Sequence, residues 1–327
     1  MNATHSATGR PIERFQIARA GEGGTLSAWR QCPPETSSPA PVVVYVCGAT
    51  FASEQAVGFR FDGRSWADEM AAAGYEVWAF DFIGYGRSDR YPEMDGPPQG
   101  PPLGRAPAAA GQLERVIRFV KDRRGGARVN LLAHSWGTMP AGRFAAEHPE
   151  LVDRLVFFAP IVTRDGDAAP DAGDLPAWYP MSLEAQHQRF VEDVPADQQQ
   201  VLCDRNFKRW AESYLASEPQ SQTNGPGTVR TPTGPPFDMA TAWGGELPYD
   251  PGMIHAPVCI IRGEWDSLCT DADAHRLWDS LTSAPIKRDI KLSSATHLLH
   301  LEEERHALHH ETITFLQSSD SSPAGGQ

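Results

Sequence analysis

Long apolar runs are missing from this chain. Its longest, such as "PVVVYVCGA" from Pro41 to Ala49, reach less than half of the roughly 20 residues that a membrane-spanning helix needs. The amino terminus "MNATHSATGRPIERF" has no hydrophobic targeting core, so a cytoplasmic protein without a membrane partner is expected. Positive charge is scarce: 29 Lys and Arg stand against 42 Asp and Glu, a net charge of −13. That balance repels phosphate backbones and argues against a nucleic-acid partner. Cysteines are few and odd in number, Cys32, Cys47, Cys203, Cys259 and Cys269, with wide spacing and no CxxC pair. Zinc knuckles and redox couples are thereby excluded, and reduced structural thiols are the default. HExxH is absent too. The run His297, His300, His306, His309 and His310 puts His306 and His310 one helical turn apart, but without an acidic third ligand it reads as a solvated helix face, and no metal is expected.

What is present is an alternation of strands and helices. "FQIARA" and "TLSAWR" look like a hairpin around "GEGG", and "PVVVYV" is a buried β-branched strand. There follow a helix at "SWADEMAAAG", a strand at "YEVWAFD", a helix from about Ala108 to Lys121 and a strand at "RVNLLAH". The rhythm continues with helix "AGRFAAEHPE" and strand "VDRLVFFAP", then resumes with strand "APVCIIRG", helix "DADAHRLWDSL", strand "IKRDIKL" and a last helix near Glu302 to Leu316. Such alternation predicts a mostly parallel sheet covered by helices on both faces. For 327 residues, one elaborated α/β domain with an insertion fits as well as two domains.

Two stretches break the rhythm. Arg90 to Pro107 is too rich in Pro and Gly to hold a helix or strand and reads as a long surface loop. Ile161 to Leu247 reads as an inserted helical subdomain with Trp178, Trp210 and Trp243, ending in a Gly/Pro/Thr loop around Thr223 to Pro236 that is a candidate entry gate. The expected organisation is a core of residues 13–160 and 248–317, a cap over 161–247, and flexible termini at 1–12 and 318–327.

The chemistry centres on "VNLLAHSWGTMPAG", Val129 to Gly142. A strand, then His134-Ser135-Trp136-Gly137, then a helix is the layout of a nucleophile elbow, in which small residues two before and two after the serine let strand and helix approach. Ala133 and Gly137 occupy those places. Taken alone, Ser135 also fits a buried serine capping a helix. Downstream, Asp266 follows the strand "APVCIIRG" and His297 follows the strand "IKRDIKL".

In these residues the chain resembles the α/β-hydrolase superfamily from about Phe15 to Leu316, with Ala133 replacing the first glycine of G-x-S-x-G. The stretch Asp81 to Arg90, "DFIGYGRSDR", also matches the D-x-x-G-x-G-x-S loop that the superfamily carries after its fourth strand. The resemblance implies an eight-stranded, mostly parallel sheet flanked by helices with an inserted helical cap, and an esterase- or lipase-like serine hydrolase. It further implies that Ser135 is the nucleophile, His297 the base and Asp266 its orienting acid. The oxyanion donors it implies are the backbone N–H groups of Trp136 and of Ala49, in the loop Cys47-Gly48-Ala49-Thr50. Glu264 is an alternative acid, whereas Asp271 and Asp273 read as helix caps and His134 as pointing away from the turn. Thr50, Phe51, Trp178 and Trp210 are candidate pocket residues, and the Trp136 side chain faces either pocket or core. Arg60, Arg64 and Arg189 are candidates to pair with a substrate carboxylate.

The substrate class expected is a small hydrophobic or aromatic carboxylic ester. A serine nucleophile excludes the haloalkane dehalogenase and epoxide hydrolase relatives, which use an aspartate. "HSWGT" is similar to prolyl iminopeptidases, but their H-G-G-P-G loop is missing where "VCGATF" stands. Carbon–carbon hydrolysis in aromatic degradation and a receptor-like ligand-binding protein are the other readings. No cofactor is implied, because nucleophile, base and oxyanion donors are all protein groups. A homodimer stays open.

Overall fold

A computed structural model describes residues 12–18, 24–34, 39–126, 128–166, 175–218 and 227–318. The first half carries strands β1 (Glu13–Ile17), β2 (Leu26–Gln31) and β3 (Val42–Val46), helix α1 (Trp66–Ala72), β4 (Glu76–Phe80), α2 (Ala106–Arg124), β5 (Val129–His134), α3 (Thr138–Glu147) and β6 (Val152–Phe158). The chain continues through β7 (Trp178–Ser182), α4 (Leu183–Val191), α5 (Asp204–Ala216), β8 (Thr228–Pro232) and α6 (Gly234–Trp243). It closes with β9 (Val258–Gly263), α7 (Asp271–Ser280), β10 (Lys287–Leu292) and α8 (Arg305–Gln317).

Eight strands form one sheet in the order β1-β2-β4-β3-β5-β6-β9-β10. The β1–β2 and β2–β4 pairs are antiparallel and all others parallel, the eight-stranded, mostly parallel sheet expected from the alternation. β3 shows why the sheet needs cover on both sides. Successive side chains of a strand point to opposite faces; Val42, Val44 and Val46 enter the apolar cluster with α2, α3 and α7, whereas Val43, Tyr45 and Cys47 enter the cluster with α1 and α8. Phe190 of α4 and Trp210 and Tyr214 of α5 join that second cluster, which seats these helices against the core.

The segment between β6 and β9 adds a two-stranded sheet to the expected helical insertion. β7 and β8 pair antiparallel, from Trp178 opposite Pro232 to Ser182 opposite Thr228. Much of the Gly/Pro/Thr stretch read as a gating loop is therefore β8 and the start of α6. Its prolines do not oppose this: Pro232 ends a strand, and Pro235 and Pro236 lie in the first turn of α6, where a missing N–H costs nothing. Thr233 N–H donates to Ala177 O (3.1 Å) and Gly234 N–H to Leu103 O (2.7 Å), so this stretch is anchored rather than free. Residues 223–226, most of "GEGG", and the proposed flexible termini apart from Ile12 and Ser318 lie outside the described residues.

Candidate active site

β5 stops at Ser135 because the backbone there turns over: Ser135 has φ +55°. A left-handed conformation in a non-glycine residue costs roughly 1–2 kcal/mol, and the surroundings hold it. Thr138 Oγ1 donates to Ser135 O at 2.6 Å. Gly137 cannot be larger, since a Cβ there would overlap Cys47 O and lie 2.8 Å from Val46 O. The end of β3 and the turn after β5 are thus in backbone contact. Gly48 completes the fit, a Cβ there falling 3.1 Å from Ser135 Cβ.

Two further loops at the same sheet end bring in Asp266 and His297. His297 Nε2 lies 2.7 Å from Ser135 Oγ, and its Nδ1 lies 3.0 Å from each Asp266 carboxylate oxygen. Asp266 is fixed in turn, Oδ1 accepting from Leu268 N and Cys269 N at 2.9 Å each. Each of the three residues is only 4% exposed, so their mutual electrostatics are weakly screened by water. The arrangement can take a proton from Ser135 Oγ onto His297 while the carboxylate holds the ring.

The remaining sequence candidates are placed as follows. His134 stacks on Phe158 with centroids 4.6 Å apart, its Nε2 3.1 Å from His297 O. Burial holds its pKa well below the usual histidine value. Glu264 accepts from Ser294 N (3.1 Å). Asp273 closes a capping box with Thr270, and Asp271 pairs with Arg262 and Lys291. The Trp136 indole faces the core, its Nε1 donating to Asp238 Oδ2 (3.0 Å) and its ring packing on Phe82. Ala49 lies in the loop pressed on the Ser135 turn. Thr50 has φ +77° and accepts from Arg189 Nη1 (2.7 Å). Phe51 packs edge-on to Trp210 (5.4 Å) and against His300 (6.1 Å). Trp210 is 1% exposed and donates to Gln55 O (2.8 Å), so it packs α5 onto the core rather than presenting an open wall. Trp178 donates to Glu93 O (3.1 Å), in the loop preceding α2. Arg60 and Arg64 are engaged by Asp68 and Glu69.

Local sequence patterns do not reveal two supporting carboxylates, Asp238 and Glu302, and mark a third, Asp81, only as part of a motif without its role. Asp238 accepts from Arg105 Nε, Ala106 N (2.6 Å) and Trp136 Nε1, tying α6 to the start of α2 and to the Ser135 turn. Glu302 accepts from Thr296 N (3.1 Å) and Thr296 Oγ1, and burial pushes its pKa up to about 7. Asp81 accepts from Ser53 N (2.9 Å) and Arg87 N (3.0 Å), with Gly86 leaving no room for a Cβ beside it. Ser88 Oγ donates to Asp81 O (2.5 Å), so the D-x-x-G-x-G-x-S stretch is a self-bonded structural loop. Among the described residues no three His, Cys, Asp or Glu side chains group as metal ligands, and no helix is long and apolar enough to cross a membrane.

A family model described as alpha/beta hydrolase fold matches residues 58–304. A thioesterase domain from the curacin biosynthetic pathway superposes with a TM-score of 0.63 at 18% identity, covering 92% of this chain and 99% of its own. An epoxide hydrolase mutant from Vigna radiata gives 0.62 at 17% identity, over 94% and 98% of the two chains. A serine hydrolase involved in carbazole degradation gives 0.60 at 16% identity, over 93% and 98%. At these identities the likeness is one of fold. No match is found among curated proteins.

Proposed function

The chain belongs to the alpha/beta hydrolase fold family, and on that premise we propose that it is a serine hydrolase cleaving a small hydrophobic or aromatic carboxylic ester through an acyl-enzyme on Ser135. The observation that carries this reading is the contact series from Ser135 Oγ to His297 (2.7 Å) and on to Asp266 (3.0 Å). Ser135 Oγ attacks the ester carbonyl as His297 Nε2 takes its proton. The tetrahedral oxyanion accepts from the backbone N–H groups of Trp136 and Ala49, each worth about 10²–10³ in rate. His297 returns the proton to the departing alkoxide, which leaves as alcohol. Water, deprotonated by His297, then releases the acid and restores Ser135. Asp266 holds the imidazole in the tautomer that presents a bare Nε2 to the serine.

Serine rather than aspartate at this position argues against the epoxide chemistry named for one of the neighbours. Residues 161–247 serve as the cap in this reading. With Ser135 only 4% exposed, substrate enters when the cap shifts.

The test is intact-protein mass after incubation with a small fluorophosphonate, run beside Ser135→Ala and His297→Ala. One adduct on Ser135, absent from the first variant and slowed by up to about 10⁶ in the second, is the expected result. A native protein that takes no adduct refutes the nucleophile assignment and favours a binding protein.

A further inference from the structure

Most partly buried arginines of this protein are matched to carboxylates. Arg60 pairs with Asp68, Arg105 with Asp238, Arg164 with Asp273, Arg230 with Glu218 and Arg262 with Asp289. Arg90 turns its ends to the Ser88 and Ser217 carbonyls instead. Arg189 of α4 is different. Its Nη1 donates to Thr50 Oγ1 (2.7 Å) and Gln186 Oε1 (2.9 Å), and among the described residues no carboxylate lies within ion-pair distance and neither Nε nor Nη2 finds an acceptor. A guanidinium offers five donors in a planar fork, and most of this fork is unused.

Its position makes that vacancy meaningful. Thr50 follows Gly48 by two residues, at most about 7 Å of chain, and Gly48 sits against Ser135. The charge of Arg189 is felt at His134, beside the nucleophile. Around it are buried polar groups that make no close hydrogen bond among the described residues: Gln186 Nε2, on a side chain 0% exposed and facing Tyr214, and the hydroxyl of Tyr85, 5% exposed and facing the Thr50 backbone. Burial without a contacting acid pushes Arg189 below its ordinary pKa, whereas Arg230 and Arg262 are raised by theirs. Arg189 is half-buried and its free donors are not sealed from outside, so a carboxylate can reach them.

We propose that Arg189 binds a carboxylate carried by the substrate, making the preferred ester a half-ester of a dicarboxylic acid whose free end lies along Thr50 and Gln186. This rests on the serine-hydrolase reading. The acyl carbonyl sits at Ser135, and the free carboxylate accepts from Nε and Nη2 in the two-pronged geometry that favours arginine over lysine.

The experiment compares kcat/KM for monoethyl esters of the straight-chain dicarboxylic acids from malonate to suberate with their diethyl esters, using the full chain and tracking Ser135 labelling by fluorophosphonate in the same preparation. A charge-assisted pair predicts a preference for one or two monoethyl esters of about tenfold or more. Arg189→Met abolishes the preference, mainly through KM, and Arg189→Lys keeps part of it. Equal or better turnover of the diethyl series by a wild-type protein that labels at Ser135 overturns the role of Arg189 and leaves the hydrolase reading standing. So does turnover of neither series by a protein that labels. Failure of Ser135 to label removes both. Because the wild-type preference is measured without any substitution, a variant that folds poorly does not shield the proposal.

Discussion

Gly137→Ala tests how the fold builds the nucleophile turn. The added methyl overlaps Cys47 O and comes within 2.8 Å of Cys47 C and of Val46 O. All three are buried backbone atoms, Val46 O in the last residue of β3, which pairs with Ala133 of β5, and Cys47 C and O in the residue directly after it, so they cannot swing aside as a flexible side chain would. An ordinary contact requires about 3.4 Å or more, so either the Ser135 turn or the loop carrying Ala49 must retreat by roughly 1 Å. Overpacking of this kind costs about 1–3 kcal/mol, and a 1 Å misplacement of reacting groups costs on the order of 10² in rate. The expected outcome is a protein that folds, melts several degrees lower, and takes up fluorophosphonate at Ser135 about 100-fold more slowly. Gly111→Ala is the control. It lies in α2 with no atom within 4 Å of its would-be Cβ, and the change should stabilise by about 0.4–1 kcal/mol with labelling unaltered. Native labelling rates in Gly137→Ala would refute the reasoning, because the turn would then tolerate a displacement that the geometry says it cannot.

Three further outcomes are expected. Asp266→Asn should slow Ser135 labelling by about 10⁴ while leaving the melting temperature within a few degrees, since the amide keeps an oxygen for Leu268 N and Cys269 N; a loss under tenfold would remove Asp266 from the triad. His300 is buried with its pKa lowered from 6.5 to about 3, so the unfolded chain binds a proton there that the folded one refuses, and stability is lost as pH falls below 6.5. Denaturant unfolding of His300→Phe should therefore show about 3 kcal/mol less loss than wild type between pH 7 and pH 4, and parallel curves would contradict the assigned shift. Glu302 has the opposite sign. Its pKa is raised from 4.5 to about 7, so its contribution is full below 4.5 and fades as pH climbs through 7. Glu302→Gln should accordingly gain about 3 kcal/mol on wild type between pH 5 and pH 8, and an unchanged stability difference between the two proteins at the two pH values in urea unfolding would show that Glu302 titrates normally.

Much of this molecule is written in local pattern. β-branched runs of five to seven residues separated by amphipathic stretches specify strands and helices without reference to distant residues, and a parallel sheet with two covered faces follows from their order. The candidate site was legible for a related reason. Ser135, Asp266 and His297 each sit just past the end of a strand, so the alternation that predicts the sheet also lines up the three side chains along one edge. Gly137 was readable as a close-packing residue, although the partner it must avoid, Cys47 O, was not.

What only the tertiary structure decided is pairing at long range. β7 and β8 are joined through two helices and about 45 residues, and neither short segment, each containing proline, announces a strand until the other lies beside it. Asp238 stood two residues past the stretch that read as loop, and its importance comes from Arg105 and Trp136, more than 100 positions away. The arginines show the point most clearly. Arg60, Arg64 and Arg189 look alike in sequence as candidate carboxylate binders, because a guanidinium carries no local mark of its partner. Folding supplied Asp68 to the first and Glu69 to the second, and brought the third to Thr50 with no acid in contact. For Arg60 and Arg64 the partner lies only eight and five residues further along the chain, whereas the surroundings of Arg189, with Thr50 139 positions away, are settled by the packing of α4 against the loop after β3.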